Sequence, residues 1–187
     1  MKFTEVNVNI GDYNNKKIAI FDDYKKVLKF QIPRMYIPFG LNGFTPEVGD
    51  TKWSIDFNLH KLEDESYIKR FYEFVRSIEE KVIQYVQDNS EKIFGKVVNA
   101  KSMFNSNIKG DKFRVKFDPY KTLVFDVDNN NIDKSPVGGV FQKHSGVGIV
   151  ELGNVYFLNH MFGITWKLSQ LKIYEPQRLK GFHFIDV

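Results

Sequence analysis

Cysteine is absent from the 187 residues, which excludes a disulfide framework and any thiolate metal site. A reducing, intracellular compartment is the expected setting. Long apolar runs are missing too: nowhere do about 18 apolar residues follow one another without a charge, so no membrane-spanning segment is expected. The opening stretch, MKFTEVNVNIGDYNN, has no apolar h-region, so a signal peptide is not expected either. Internal repeats and long linkers are lacking, and the length fits the roughly 100 to 200 residues of one domain. One domain spanning 1–187 is the expectation.

Catalytic signatures are equally scarce. The sequence contains no G-x-x-x-x-G-K-[ST], no G-x-S-x-G and no H-E-x-x-H. Gly146-Val147-Gly148 lacks the third glycine of a dinucleotide loop and precedes a strand-like segment, so it reads as a turn. Asp126-Val127-Asp128-Asn129-Asn130 imitates the start of a calcium loop, but Asn131 stands where glycine is needed and Val137 where glutamate is. A solvated hairpin turn is the better reading. His60, His144, His160 and His183 show no metal-ligand spacing. No catalytic residue, metal or cofactor is assigned, and a binding protein rather than an enzyme is expected.

What the sequence has in abundance is rings and local positive charge. Aromatics make up 16%, with 18 Phe, so the chain has an aromatic core, flat contact surfaces, or both. Net charge is only +4 with a pI near 9.0, but it is unevenly spread. Residues 63–90 carry seven acids against four bases, whereas 91–121 carry eight bases against three acids. Clustered cations of this kind suit a polyanion, because each neutralised phosphate releases counterions.

Hydrophobic periodicity predicts a mainly β fold with one long helix. Trp53, Ile55, Phe57 and Leu59 alternate with polar residues, Leu28, Phe30 and Ile32 do so up to Pro33, and Lys112 to Phe117 alternates throughout. Residues 33–40 read as a Pro-bounded loop. Between about 64 and 89, Ile68, Phe71, Val75, Ile78, Val82 and Val86 recur at helical spacing, with Asp64 and Glu65 in the first turn where the dipole favours them. Two long strands follow near 147–159 and 163–174, and the apolar phase of the second switches at Ser169. Such a switch predicts a bulge or a sharp coil, as small closed barrels need.

On the strand 112–117, Lys112, Arg114 and Lys116 share one face, about 6.6 Å apart, a spacing near that of successive phosphates on a single strand. Lys101, Lys109 and Lys121 lie nearby in sequence. Phe104 and Tyr120 flank this basic strand, and Tyr36 and Phe39 lie in the Pro-bounded loop; aromatics among cations are what base stacking requires. Trp53, Phe57, Phe71, Phe113, Phe117 and Trp166 are expected in the core.

The run Phe113 to Phe117, with the ending Gly148 to Phe157 and Phe162-Gly163-Ile164-Thr165-Trp166-Lys167-Leu168-Ser169-Gln170-Leu171, resembles the phage-type single-stranded DNA-binding proteins, a family with relatives in nucleo-cytoplasmic large DNA viruses. The resemblance covers about residues 100–175. It implies an OB-fold-like five-stranded barrel with extra strands and loops. It also implies a non-enzymatic role, coating exposed single-stranded DNA in replication, recombination and repair; stacking and phosphate contacts serve RNA equally, so the residues themselves leave RNA open as a ligand. Replication or recombination proteins are the implied partners, and a host cytoplasm or viral replication site the implied setting. Through matched positions Lys112, Arg114, Lys116 and Lys167 inherit a DNA-contact role, and Trp166 a core role. The acidic, aromatic-ended tail of the phage members has no counterpart in residues 177–187, which contain a single acid. A structural or interaction protein with a basic, nucleic-acid-facing surface is the competing reading.

Overall fold

In the computed structural model, which describes residues 2–60, 67–132 and 137–176, the alternating segments fold as strands. After a 3-10 turn at Phe3–Glu5 come β1 (Asn9–Asn14), β2 (Lys17–Phe21), β3 (Leu28–Gln31), β4 (Met35–Ile37), β5 (Leu41–Phe44) and β6 (Lys52–Asn58). Helices α1 (Tyr67–Asp88), α2 (Ser90–Phe94) and α3 (Ala100–Met103) follow. The chain then adds β7 (Phe104–Asn105), β8 (Ile108–Lys109), β9 (Lys112–Phe117), β10 (Leu123–Phe125), β11 (His144–Leu158) and β12 (Met161–Tyr174).

Five of these strands close a ring. β4 pairs with β6, β6 with β9, β9 with β12, β12 with β11, and β11 returns to β4; only β9–β12 is parallel. This is an OB-fold-like barrel, as expected. The remaining strands extend it: β3 and the β1–β2 hairpin lie against β11, β5 lies on β6, and β10 runs beside β12. Closure leaves each barrel strand with partners on both sides, which removes the exposed edges that invite aggregation.

Strands of 15 and 14 residues can wrap such a barrel only if they bend. Ile149 pairs with Gln170 but Val150 pairs with Leu168, so Ser169 is the extra residue of a bulge, at the position where the apolar phase switches. A second irregularity lies between Leu152 and Val155.

The Pro-bounded loop expected at 33–40 contains β4 instead. Met35 and Ile37 are buried and Tyr36 between them is exposed. Three alternating residues between two prolines are too few to register as a period, yet they close the ring.

α1 buries Phe71, Val75, Ile78, Val82 and Val86, the stripe expected of it. The expected first-turn acids Asp64 and Glu65 lie outside the described residues, as do Ser135, Pro136 and residues 177–187. Edge-to-face rings tie the helix to the barrel: Phe71 meets Phe113 at 5.2 Å, Phe113 meets Trp166 at 5.2 Å, Trp166 meets Phe30 at 5.9 Å, and Phe30 returns to Phe74 on α1 at 5.4 Å. Each contact of this kind adds roughly 0.5–1.5 kcal/mol beyond burial. Phe57, Phe71, Phe113, Phe117 and Trp166 are therefore core residues, as expected.

Candidate nucleic-acid interface

Inward residues of β6 and β9 fill the core, so their alternate residues must face outward. Cross-strand register then sets a row across the barrel: Ser54 on β6 opposes Lys116 on β9, Lys116 opposes Lys167 on β12, Lys167 opposes Glu151 on β11, and Glu151 opposes Lys29 on β3. Lys116 and Lys167 are adjacent cations, and among the described residues neither has an ion-pair partner. Lys116 is held below the ordinary lysine pKa, first by burial in the groove and then by repulsion from Lys167 and Lys52. Its surface is open to solvent, but protein surrounds it closely enough to weaken hydration of the charge. Unpaired like charges in a partly desolvated site favour an incoming anion.

Two grooves meet at this row. One, of about 820 Å³, has Lys29, Lys52, Lys116, Lys121 and Lys167 along it, with Trp53 and Tyr120 as rings. The other, of about 500 Å³, has Lys109 and Arg114 with Phe44 and Tyr156. Lys52, Trp53 and Lys116 line both, so the two form one path. Of the carboxylates in the larger groove, Asp118 caps the backbone N–H groups of Tyr120 and Lys121, and Glu151 holds Lys29 at 3.0 Å.

Glycines seat the rings. Gly43 is the cross-strand partner of Trp53, and a Cβ there would come within 2.9 Å of the indole. Gly163 is opposite Tyr156, and a Cβ there would lie 2.7 Å from the phenol oxygen and 2.8 Å from the Asn105 carbonyl. Tyr156 therefore lies over β12, with the Lys116 ammonium 5.9 Å from its ring centre. Asn105 fixes it further: its Nδ2 donates to the Tyr156 hydroxyl at 3.0 Å, and its Oδ1 accepts from Lys109 at 2.9 Å. The following turn is anchored to α1, because Ser106 Oγ and the Asn107 amide both donate to the buried Glu79 carboxylate at 2.7 and 3.2 Å.

The structure divides the residues expected at the site. Lys109, Arg114, Lys116, Lys121, Lys167 and Tyr120 line the joined grooves. Arg114 is not free: Nε and Nη2 donate to the buried Asp56 at 2.7 and 2.8 Å, which raises its pKa further. Lys112 faces the same outer surface but donates to Asp111 at 2.9 Å, a bond that lowers the Asp111 pKa. The expected line of three free cations along β9 thus leaves only Lys116 without a carboxylate, and the free charge runs across the strands rather than along one.

Lys112 belongs to a second cluster with Phe39, whose ring centre is 5.6 Å from its ammonium, and with Tyr36, reached through Asn58. Neither Lys112, Tyr36 nor Phe39 lines the joined grooves. Lys101 sits exposed on α3 and lines neither groove. Phe104 lies in β7 rather than a loop and packs half-buried against Phe162 at 5.3 Å. Trp53 departs from its expected core role: it is only partly buried and lines both grooves. Sequence reasoning did not single out Lys52, Phe44 and Tyr156, which also line the grooves; Lys29 at the margin is neutralised by Glu151. A signal for Trp53 and Lys52 was their place at the start of β6, where a barrel strand leaves the core.

A family model matches residues 62–186, two thirds of the chain, and its description is a family of unknown function (DUF5871). No curated protein matches the chain in sequence. Several solved structures are similar in fold, two of which follow. The single-stranded DNA-binding protein of bacteriophage Enc34, in complex with ssDNA, matches at a TM-score of 0.51 and 10% identity over 94% of this chain and 99% of that one. The protein gp2.5, a single-stranded DNA-binding protein encoded by bacteriophage T7, matches at 0.53 and 14% identity over 84% and 91%.

Proposed function

We propose that this chain, which belongs to the DUF5871 family of unknown function, binds single-stranded DNA without reading its sequence. The observation that carries the proposal is the Lys116–Lys167 pair, two cations without acid partners among the described residues, on the floor of grooves walled by Trp53, Tyr120 and Tyr156. OB folds bind oligonucleotides on the face of their second and third strands, between the loops that join strands one and two and strands four and five. In this barrel those strands are β6 and β9. Phe44 ends β5, within the connection between β4 and β6, and Leu158 ends β11 at the edge of the second loop, and both line the smaller groove.

The mechanism is binding by two complementary forces. Phosphates approach the lysines and displace counterions, while bases stack on the exposed ring faces at roughly 1–3 kcal/mol each. Neither force depends on base identity. The fold shared with two phage proteins named for binding single-stranded DNA supports this reading. On it the protein coats strands exposed in replication, recombination and repair, in a viral setting, and its role is non-enzymatic. Single-stranded RNA offers the same phosphates and ring faces.

Fluorescence anisotropy with matched oligo-dT, duplex DNA and RNA at two salt concentrations tests it. The expected result is preference for single strands over duplex and an affinity that falls as salt rises. Equal affinity for duplex, or no binding, overturns the proposal.

A further inference from the structure

We infer that Glu151 ends the nucleic-acid track and so limits how many nucleotides the protein covers, an inference that rests on the proposed single-strand binding. From β5 to β11 the groove crosses five adjacent strands, about 19 Å at the ~4.8 Å spacing of a sheet. That is room for the low end of the roughly 4 to 16 nucleotides an OB fold accommodates.

Along this distance the outward row is neutral or cationic from Ser54 through Lys116 to Lys167, and its next residue is Glu151. The side chain faces outward, because Val150 and Leu152 on either side are fully buried. It lines the larger groove beside Lys167 and Lys116. The groove's other carboxylate, Asp118, is turned to backbone amides, whereas Glu151 is turned to a side chain, the Lys29 ammonium.

Glu151 acts on the track through its ion pair: it engages the Lys29 ammonium at 3.0 Å, so the cation that would carry the track onto β3 is already neutralised and the pair offers no net positive charge to a phosphate beyond Lys167. A strand bound at Lys116 and Lys167 therefore leaves the surface at β11.

The test is a titration of oligo-dT of increasing length against the wild type, Glu151→Gln and Lys29→Ala, with affinity followed over a salt series. Glu151→Gln keeps the shape and removes the charge. It should lengthen the oligonucleotide at which affinity stops rising, and steepen the log K against log salt slope by about 0.7 for one added phosphate. Lys29→Ala should leave the slope unchanged, because Lys29 contacts no phosphate in the wild type. A Glu151→Gln variant with the wild-type plateau length and slope overturns the inference, as does a flattened slope in Lys29→Ala, which would place Lys29 on the DNA. Absence of oligo-dT binding by the wild type would instead overturn the proposed function itself. Thermal melting of both variants confirms that they are folded.

Discussion

Lys116 on β9 stands directly opposite Lys167 on β12, and neither ammonium meets a carboxylate among the described residues. Two unscreened cations side by side oppose folding slightly and favour an anion. Replacing both with Gln should flatten the salt slope for oligo-dT by about 1.4, at roughly 0.7 per phosphate, and weaken binding several-fold or more. The melting temperature should hold or rise, because repulsion is relieved. A folded double variant with the wild-type slope would show that these lysines only face solvent.

Arg114 should behave differently, because its partner is buried. Asp56 is 2% exposed and takes two hydrogen bonds from the guanidinium. Arg114→Gln leaves that buried carboxylate without its strongest donor; because the guanidinium side of the pair is half exposed and water can reach it, the cost is about 1–3 kcal/mol, below that of a fully buried pair. Denaturant melts should show the loss, and Asp56→Asn combined with Arg114→Gln should recover part of it. An Arg114→Gln protein as stable as the wild type would show that Asp56 does not depend on the pair.

The pH dependence follows from Lys116. Its pKa in the folded chain lies below the ordinary 10.5, through burial first and then Lys167 and Lys52. Between the two values the unfolded chain holds more protons, so this group's contribution to stability rises with pH there. A phosphate at Lys116 reverses the shift, so binding takes up a proton in that interval and weakens as pH approaches 10.5. Lys116→Arg stays charged and should flatten the alkaline limb of the affinity profile. A limb identical in Lys116→Arg would assign the titration to another group.

Rings separate into stacking and packing groups. Alanine at Trp166, fully buried against Phe30 and Phe113, should cost about 3–5 kcal/mol of stability. Alanine at Tyr120, 92% exposed at a turn, should spare stability and cost about 1–3 kcal/mol of oligo-dT affinity. Trp53 should show part of each effect. Melting temperature and affinity for the three variants decide it; no affinity loss at either Tyr120 or Trp53 would leave an interface of phosphate contacts alone.

Gly43 tests the ring seat. Gly43→Ala should displace the Trp53 indole, since the new methyl would lie 2.9 Å from it, and so lower affinity with a small change in melting temperature. Trp53 fluorescence should shift. An unchanged spectrum and affinity would show that the ring needs no glycine beneath it.

Local periodicity was enough to place β6, β9, the helix, the two long C-terminal strands and even the bulge at Ser169, because side-chain alternation is dictated by the strand itself. β4 was hidden, since a three-residue strand bounded by prolines shows no period and is held by β6 and β11 on either side. The cations of 112–117 were legible as a face for the same reason of alternation. Which of them is free was not: Lys112 is held by its neighbour Asp111, but Arg114 by Asp56, which lies 58 residues before it. Trp53 was read as core from its apolar neighbours, but only the closed barrel decided that β6 begins at the rim, leaving the ring half in a groove. Sequence by itself determined the kinds of elements and the faces they present. The tertiary structure decided the row on which the proposed interface is built, because register across β6, β9, β12 and β11 sets Ser54, Lys116, Lys167 and Glu151 side by side, and no spacing along one strand encodes that row.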